Sequence, residues 1–442
     1  MKIGIFGGSF DPVHIEHIRV AQAAIQTLGL DRLLIMPVFA PPHKKGRVLL
    51  DNAARLELCR LAFASVEKAE VCDFEIARGG VSYTYLTCRH FKEAYQDAEL
   101  FWLVGTDMLR DFPSWKNPEQ ILSCATLAVC ARNEKADWVK AEQERFFKRF
   151  GKNFVCVGYN GADVSSTKIR VLAAAGEDFS SLVASGVYTY IRENGLYEIP
   201  HAKGALALEK TSRKEHSLRV AEAAATRAVA LKLDEKKAIA AALFHDCAKN
   251  LEPDHPLLRG FTPPKAWGEV PESVLHQFTG AYVAERAFGI TDKEILDAVR
   301  YHTSGKPQMT ELGKLIFLAD MVEEERRYEG VEKIRAAFYS ESLDEALTLA
   351  LSETVKFLQK KGAYVYPLTL SALEYYEKKG EKKLCRKRLI PRHLPWRYVK
   401  PLPINWARTS CLYTYAKRRI FAIISLSQAA RTRRRFALWG NG

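Results

Sequence analysis

The sequence predicts a doubly wound parallel α/β domain followed by an all-α domain, and three observations indicate this organisation. Strand-like apolar runs alternate with helical patterns over residues 1–198. Beyond residue 210 the strand-like runs disappear and only helical periodicity remains. Between the two halves, residues 199–210 contain Pro and Gly without a clear pattern and are expected to form a linker.

The first half contains five short apolar runs with the length and composition of buried strands. They are residues 2–6, 33–36, 100–104, 126–130 and 154–157. The first run ends in a Gly-Gly pair, and the helical pattern of residues 16–28 follows it. One face of that pattern carries Ile18, Ala21, Ile25 and Leu28. A strand, a glycine turn and an amphipathic helix in succession are typical of a parallel, doubly wound sheet.

The second half, residues 211–380, is predicted to be helical throughout. The helical patterns cover residues 215–233, 234–249, 292–302, 311–325 and 342–361. Proline-rich breaks, such as residues 252–264, separate some of these patterns. We find no internal repeat, so a single all-α domain is expected.

Residues 381–442 differ from both halves, since they carry 16 of the 66 Lys and Arg residues but only one of the 52 acidic residues. The rest of the chain is close to neutral, so nucleic-acid binding is not predicted for the body. The tail is either a disordered nucleic-acid-binding arm or a terminus outside both folds, such as translation in a shifted frame. The second interpretation is favoured because disordered basic tails are poor in Trp, Leu and Ile. This tail contains Trp396, Trp406, Trp439 and an apolar run at residues 420–426.

Cysteine usage and hydropathy indicate the compartment. The nine cysteines form no CxxC pair and are sparse for a disulfide scaffold, so reduced thiols in the cytoplasm are expected. The first apolar run meets Asp11 too soon for a signal peptide. No apolar run approaches the ~18 residues that span a membrane, so no membrane partner is expected.

A phosphate-binding turn is predicted at residues 7–17 (GGSFDPVHIEH), between the first strand and the first helix. Glycines let the backbone approach a phosphate closely, and unpaired N–H groups at a helix N-terminus attract anions. His14 and His17 lie on one face of the helix start, so both can donate to one phosphate. A Gly-Gly turn alone is also typical of an ordinary strand–helix connection, but the two histidines favour phosphate binding.

The turn resembles the GxFxPxHxGH signature of the nucleotidyltransferase superfamily, with Glu16 where the family usually has Gly. Further segments narrow the resemblance to the nicotinate-nucleotide adenylyltransferases. They are PPHK at residues 41–44, E-x-x-R-x-G-x-S-Y-T at residues 75–84, GxDxL…W from residue 105 to Trp115, and SSTxIR at residues 165–170. The Glu16 carboxylate is expected either to point outwards or to alter the phosphate site modestly.

The resemblance implies transfer of AMP from ATP to nicotinate mononucleotide, with Mg²⁺ on the phosphates and pyrophosphate as the leaving group. His14, His17 and Arg170 would be the catalytic groups and would hold the ATP phosphates together with Ser166. The residues implied to bind ATP or the acceptor are Gly7, Gly8, Ser9, Phe10, His43, Lys44, Thr84, Gly105, Asp107, Trp115, Lys116, Arg132, Ser165, Ser166 and Thr167.

The acceptor side of the implied site involves separate segments. Trp115 would stack on the nicotinate ring, and backbone near Thr84 and Lys116 would hold the nicotinate carboxylate. Lys44 would approach the mononucleotide phosphate. Another adenylyl acceptor, phosphopantetheine, stays an alternative, although such an enzyme would be shorter and would lack Trp115 and the Ser-Tyr-Thr segment that ends at Thr84.

A metal site is predicted in the helical half, where His216, His245 and His302, three of the 11 histidines, fall on predicted helices and His276 lies between two of these helices. Each histidine alone is more commonly a surface or core residue, but their grouping indicates a site. Asp320 follows the apolar run of residues 315–319, and a buried carboxylate there needs a partner such as a metal ion. Imidazole and carboxylate ligands suit Mn, Fe or Zn, which bind phosphate oxygens and activate water.

The order H…HD…H…H…D resembles the HD phosphohydrolase superfamily, in particular the branch that cleaves diadenosine tetraphosphate symmetrically into two ADP. The resemblance implies one or two transition-metal ions, commonly iron, a dinucleoside polyphosphate substrate and Asp246 as a catalytic residue. The implied ligands are His216, His245, Asp246, His276, His302 and Asp320. A nucleotide-sensing module without turnover stays an alternative, and the sequence leaves open whether the chain forms a homo-oligomer.

Overall fold

A computed structural model describes residues 1–41, 49–134 and 136–389. Residues Met1–Lys382 form one compact unit. The predicted substrate-binding residues His43 and Lys44 lie outside the described residues. Among the helices that the structure describes, none combines the length and the apolar character needed to cross a membrane.

Six parallel strands form one sheet in the first half of the chain, in the order β3-β2-β1-β4-β5-β6. The strands are β1 (Lys2–Gly8), β2 (Arg32–Pro37), β3 (Ala69–Val71), β4 (Glu99–Gly105), β5 (Thr126–Arg132) and β6 (Val155–Tyr159). The strand order reverses between β1 and β4, and ligands of doubly wound sheets bind beyond the carboxyl ends of strands at such a point. The predicted fold class of the first half is confirmed.

Helices cover both faces of this sheet. They are α1 (Ile15–Leu28), α2 (Asn52–Phe63), α3 (Phe74–Arg78), α4 (Thr84–Ala94), α5 (Thr106–Asp111), α6 (Pro118–Cys124), α7 (Ala136–Phe150), α8 (Ser166–Ala175) and α9 (Ser185–Glu193). Buried residues of α1, α2, α8 and α9 form the core on one face, and those of α4 to α7 form the core on the other.

The second half is helical, and residues 160–389 contain no strand. Its helices are α10 (Ala202–Leu206), α11 (Thr211–Leu231), α12 (Glu235–Phe244), α13 (Glu272–Arg286), α14 (Lys293–Arg300), α15 (Glu311–Val322), α16 (Val331–Ser340), α17 (Leu343–Lys360) and α18 (Pro367–Leu389). The all-α class of this half is confirmed, although α10, α13, α16 and α18 were not predicted. Helix α12 ends at Phe244, so the His245-Asp246 pair lies just beyond it.

The segment predicted as a linker, residues 199–210, is packed rather than extended. It contains α10, whose Ala202, Ala205 and Leu206 are buried in the same core as α11 and α12. Small alanine side chains bury little area and give a weak periodic signal, which is why the sequence pattern did not indicate a helix.

The predicted boundary at residue 380 is not the end of a helix, because α18 runs from Pro367 to Leu389. The remainder of the predicted tail, residues 390–442, lies outside the described residues. The choice between a basic arm and a terminus foreign to the fold therefore stays a prediction.

Candidate functional site

The turn at residues 7–17 follows β1, beside the point where the strand order reverses. Gly7 and Gly8 end this strand, and both are tightly packed against aromatic rings. A Cβ atom on Gly8 would lie 2.9 Å from the Phe10 ring, and one on Gly7 would lie 3.0 Å from the Trp102 ring. Glycine is therefore required here by close packing, because larger side chains would displace the rings that shape the turn.

His14 and His17 lie together at the start of α1, as predicted. His14 is the N-cap residue, and the centres of the two rings are 3.7 Å apart. The backbone N–H of His14 donates to Nδ1 of His17 at 3.1 Å. With Nδ1 as an acceptor, a neutral His17 ring carries its proton on Nε2 and can donate it to an anion. Burial lowers the pKa of His14 to about 4, so this ring is neutral at pH 7.

We expect His14 to make folding stability depend on pH. Its pKa is about 4 in the folded chain against 6.5 ordinarily, so the unfolded chain binds more protons between these values. The free energy of unfolding should therefore fall on acidification through this window, by up to ~1.4 kcal/mol per pH unit. Denaturant unfolding of the wild type and of His14→Asn from pH 7 to pH 4.5 measures this, and parallel slopes would contradict it.

The N-terminus of α8 is bound to the same turn. Ser166 Oγ donates to the carbonyl of Pro12 at 2.9 Å, and Arg170 Nη1 donates to the carbonyl of Asp11 at 2.5 Å. Ser165 caps the helix with its side chain. The N-termini of α1 and α8 thus meet at one place, and each can attract an anion.

On the acceptor side, the structure brings Thr84, Trp115 and Lys116 together. Lys116 Nζ lies 4.5 Å from the centre of the Tyr83 ring, a cation–π distance, and Thr84 is the next residue and opens α4. Trp115 packs on Phe112, with ring centres 5.3 Å apart. The two segments expected to recognise nicotinate are therefore in contact, although Tyr83 and Lys116 are 33 positions apart in the sequence.

The remaining predicted ATP residues lie at the carboxyl ends of adjacent strands. Gly105 ends β4, and a Cβ atom there would lie 2.6 Å from Asp107 Oδ1. Arg132 ends β5 and donates to the carbonyl of Ala162 at 2.8 Å. Together with Gly7 on β1, these residues line the edge of the sheet at which ligands are expected.

Glu16 does not point outwards, which was one of its two expected orientations. Its side chain is 5% exposed and forms an ion pair with Arg19. The second carboxylate oxygen is buried without a hydrogen-bond partner and lies over Gly161. A carboxylate thus lies buried at the start of α1, close to the predicted phosphate site.

Sequence reasoning missed Arg55, which is fully buried. Its guanidinium donates to the carbonyls of Ser9 at 2.8 Å, Val38 at 2.7 Å and Leu50 at 3.1 Å. Arg55 therefore ties the phosphate turn to both flanks of the segment that contains the PPHK motif. Its one sequence signal is a position on the apolar face of α2, three residues before the buried Leu58.

In the helical half, the structure brings all six predicted metal ligands together. Their potential ligand atoms form three overlapping groups, within each of which the atoms lie within 4.8 Å of one another. The groups are His216 with His245 and Asp246, His245 with His302 and Asp320, and Asp246 with His276 and His302. Four of these residues are fully buried or nearly so; they are His216, His245, Asp246 and His302.

Two of these histidines have one ring nitrogen fixed and the other directed at Asp246. Nδ1 of His245 donates to the Ala242 carbonyl at 2.6 Å, and Nδ1 of His302 donates to the Val299 carbonyl at 2.8 Å. Their Nε2 atoms lie 3.4 and 3.5 Å from the Asp246 carboxylate. A ring whose Nδ1 donates has a lone pair on Nε2 when neutral, and a lone pair facing a carboxylate is repulsive unless a cation lies between them.

The charges at this centre agree with a place for a cation. Burial alone would lower the pKa of His245, but the Asp246 carboxylate raises it to about 9. Burial and the neighbouring His302 lower the pKa of His276 to about 2, and the two Nε2 atoms lie 3.1 Å apart. Buried imidazole nitrogens and carboxylate oxygens are a donor set that fits a transition metal.

Glu323, which sequence analysis did not identify, orients His216. Its carboxylate lies 3.2 Å from Nδ1 of His216, while Asp320 Oδ1 lies 2.8 Å from Nε2 of the same ring. A carboxylate on the outer nitrogen fixes the tautomer and raises the basicity of a histidine ligand. The sequence signal is weak, namely an acidic residue three positions after Asp320.

Three partly exposed cations surround the buried acidic groups. Arg213 Nη1 lies 3.0 Å and Lys249 Nζ 3.1 Å from Asp246 Oδ2, and Arg326 pairs with Asp320 at 2.5 Å. Arg and Lys side chains of this kind suit a polyphosphate. Arg326 was not predicted, because it lies in a charged run that is equally typical of a solvated surface.

Comparison with known proteins agrees with both halves. The cytidylyltransferase-like family model matches residues 5–172, and the HD domain model matches residues 213–325. A probable nicotinate-nucleotide adenylyltransferase/Ap4A hydrolase of Mycoplasma genitalium is 31% identical over 328 residues, which cover 74% of this chain and 89% of the relative. A probable nicotinate-nucleotide adenylyltransferase of Clostridium novyi is 37% identical over 199 residues, 45% of this chain and 99% of the relative.

One similar solved structure is that of a predicted HD superfamily hydrolase involved in NAD metabolism from Clostridium acetobutylicum. The two sequences are 28% identical, and the match covers 40% of this chain and 95% of the solved chain with a TM-score of 0.36. Fold, site and family models together define a nucleotidyltransferase-type α/β domain joined to an HD domain, and an HD domain implies dependence on a divalent metal. The chain belongs to the family of two-domain nicotinate-nucleotide adenylyltransferase/Ap4A hydrolases.

Proposed function

We propose that the first domain transfers AMP from ATP to nicotinate mononucleotide, forming nicotinate adenine dinucleotide and pyrophosphate. The observation that carries this proposal is the meeting of two helix N-termini, where Ser166 and Arg170 of α8 bind the turn that leads to His14 and His17. Family membership supports the same activity. We assign it to residues 1–198.

In this proposal the reaction needs no covalent intermediate. The phosphate of nicotinate mononucleotide attacks the α-phosphorus of ATP in line, one P–O bond forms, and the bond to pyrophosphate breaks. His17 donates from Nε2 to the phosphates, and Ser166 and Arg170 hold them from the opposite helix. Mg²⁺ would neutralise phosphate charge. Trp115 would stack on the nicotinate ring, which selects a planar acceptor.

The acceptor is tested by pyrophosphate release. Purified full-length chain is incubated with ATP, Mg²⁺ and one of three acceptors, namely nicotinate mononucleotide, nicotinamide mononucleotide or phosphopantetheine. The proposal predicts the highest kcat/KM with nicotinate mononucleotide. No release with that acceptor would reject it, and faster turnover of phosphopantetheine would favour the alternative.

For the second domain, residues 211–380, we propose hydrolysis of diadenosine tetraphosphate by one water into two ADP. The supporting observation is the convergence of four histidines on Asp246 and Asp320. These six residues would hold one or two transition-metal ions, and we expect iron. The metal would polarise a phosphoryl oxygen and lower the pKa of a bound water. Arg213, Lys249 and Arg326 would hold the polyphosphate chain.

Metal removal is expected to separate the two activities. Dialysis against a chelator, followed by Mg²⁺ alone, should leave adenylyl transfer intact but reduce hydrolysis by about 10²-fold or more, because the buried histidine and carboxylate ligands then lack their cation. Adding Fe²⁺ or Mn²⁺ back should restore hydrolysis. Product analysis by anion-exchange chromatography, with metal content measured in parallel, checks this. Full hydrolysis by the metal-free chain would contradict it, and tight binding without turnover at any metal would favour a nucleotide sensor.

A further inference from the structure

Helix α8 contributes buried residues to the hydrophobic cores of both halves of the molecule. Its N-terminal turn carries the predicted phosphate clamp, residues 165–170, whereas Val171, Ala174 and Ala175 are buried in the same core as α11 and α12. Residues of these two helices therefore lie beside the clamp. Two of them are glutamates.

The first glutamate, Glu235 of α12, binds Arg170. Its Oε1 atom accepts from Arg170 Nε at 3.0 Å and from Nη2 of the same guanidinium. Arg170 also donates to the Asp11 carbonyl and to Thr167 Oγ1. The pair is largely removed from water, since the two side chains are 6% and 13% exposed. Of the five N–H groups that a guanidinium offers, these contacts use all but one.

The second glutamate, Glu222 of α11, binds Ser165. Its Oε1 atom accepts from Ser165 Oγ at 3.2 Å. Two side-chain donors of the predicted clamp are thus bound by carboxylates of the helical domain. Carboxylate and phosphate are both anionic acceptors, and they use the same N–H and O–H groups in the same way.

We infer that Glu235 competes with the ATP phosphates for Arg170, so that a residue of the helical domain sets the ATP affinity of the adenylyl-transfer site. This inference rests on the proposed function, in which Arg170 holds those phosphates. A carboxylate bound on two nitrogens of a guanidinium cancels its charge and repels a polyphosphate from the same place. ATP gains the contact only if Glu235 releases it.

A cavity with two lysines lies beside the Arg170–Glu235 ion pair and can accept the released carboxylate. Arg170 and Glu235 line a cavity of about 420 Å³ at the contact of α12 with the first domain. Lys232 and Lys236 line the same cavity. A Glu235 side chain that leaves Arg170 can therefore turn towards another cation, which avoids leaving a carboxylate buried without a partner.

The test uses Glu235→Gln in the full-length chain, since glutamine keeps the shape and removes the charge. The KM for ATP should fall at least about fivefold, which corresponds to the strongest exposed ion pairs, because this pair is largely removed from water. The KM for nicotinate mononucleotide and the kcat should change less than twofold. Diadenosine tetraphosphate hydrolysis should be unchanged, which shows that the helical domain is folded.

The matched control is Glu177→Gln. Glu177 follows α8 and pairs with Lys214 of α11 at 2.8 Å, so it also links the two halves but does not touch the clamp. This variant should keep the wild-type KM for ATP. In an Arg170→Met background, Glu235→Gln should no longer change the dissociation constant for ATP, measured by calorimetry.

The outcomes separate this inference from the proposed function. If the wild type turns over and Glu235→Gln leaves the KM for ATP unchanged or raises it, the competition is refuted. If the wild type has no adenylyl transfer, the proposed function fails, and the calorimetric dissociation constant then decides the competition by the same rule. Should the glutamine variant not fold, Glu235→Asp, which withdraws the carboxylate by one methylene, must lower the KM or the dissociation constant for ATP, and an increase refutes the inference.

Discussion

Replacing Asp246 with Asn should abolish diadenosine tetraphosphate hydrolysis and leave adenylyl transfer within twofold of the wild type. Asp246 is fully buried and its carboxylate is the meeting point of His245, His276 and His302. Although burial opposes it, the neighbouring His245 and His302 hold the pKa of Asp246 well below its usual range, so this group is an anion in the folded chain. Asparagine removes that charge from a site built for a cation.

Removing one partner of a buried ion pair costs about 3–5 kcal/mol, so metal affinity should fall by roughly 10²- to 5 × 10³-fold. The measurement is metal content together with the hydrolysis rate at saturating substrate. Asp254→Asn is a matched control, because Asp254 is an exposed aspartate of the same domain and should have no effect. Retention of both metal and hydrolysis by Asp246→Asn would show that the assigned ligand set is incorrect.

Replacing His17 with Ala should lower the kcat of adenylyl transfer by about 10²- to 10³-fold, the usual cost of removing one donor from charge that develops in a transition state. The structure also predicts which substitution is tolerated best. His17 accepts at Nδ1 from the His14 backbone, so its donor is Nε2. The amide of glutamine reaches the position of Nε2, whereas that of asparagine reaches the position of Nδ1.

His17→Gln should therefore keep more activity than His17→Asn, measured as the kcat for pyrophosphate release. Hydrolysis of diadenosine tetraphosphate should be unaffected in all three variants. His201→Asn serves as the control, since His201 is exposed and its left-handed backbone conformation suits asparagine. Equal activity of the Gln and Asn variants would contradict the assignment of the Nε2 donor.

Most of the sheet was predictable because its central strands are buried on both faces and therefore appear in the sequence as continuous apolar runs. The exception, β3, has three residues at the edge of the sheet and none is fully buried. Helix α13 was missed because a glycine interrupts its helical pattern. Its Gly280 weakens the helical pattern, yet a Cβ atom there would lie 3.1 Å from the His245 carbonyl, so glycine is needed for close approach to the metal site.

The sites were predictable where local sequence carries the chemistry. His14 and His17 have a fixed spacing within one turn, and His245 and Asp246 are adjacent in the sequence. Spacing on a helix or a turn determines which side chains share a face. Contacts between distant segments leave no such signal. Arg55 reaches Ser9 across 46 positions, and Glu323 reaches His216 across 107.

The ion pair between Arg170 and Glu235 joins residues that are 65 positions apart and belong to different domains. Each residue alone is typical of a charged surface, and only the packing of α8 against α12 brings the two side chains into contact. The same packing makes the independence of the two sites a question for experiment, because α8 is shared by both cores.

We infer that one chain carries two distinct active sites. It is tested most directly by measuring both activities side by side on wild type, His17→Ala and Asp246→Asn, with pyrophosphate release from ATP and nicotinate mononucleotide, and ADP formation from diadenosine tetraphosphate. We expect a crossed pattern, in which the wild type has both activities, His17→Ala keeps only hydrolysis and Asp246→Asn keeps only adenylyl transfer. Loss of both activities in either folded variant, or a wild type that lacks one of them, would contradict it.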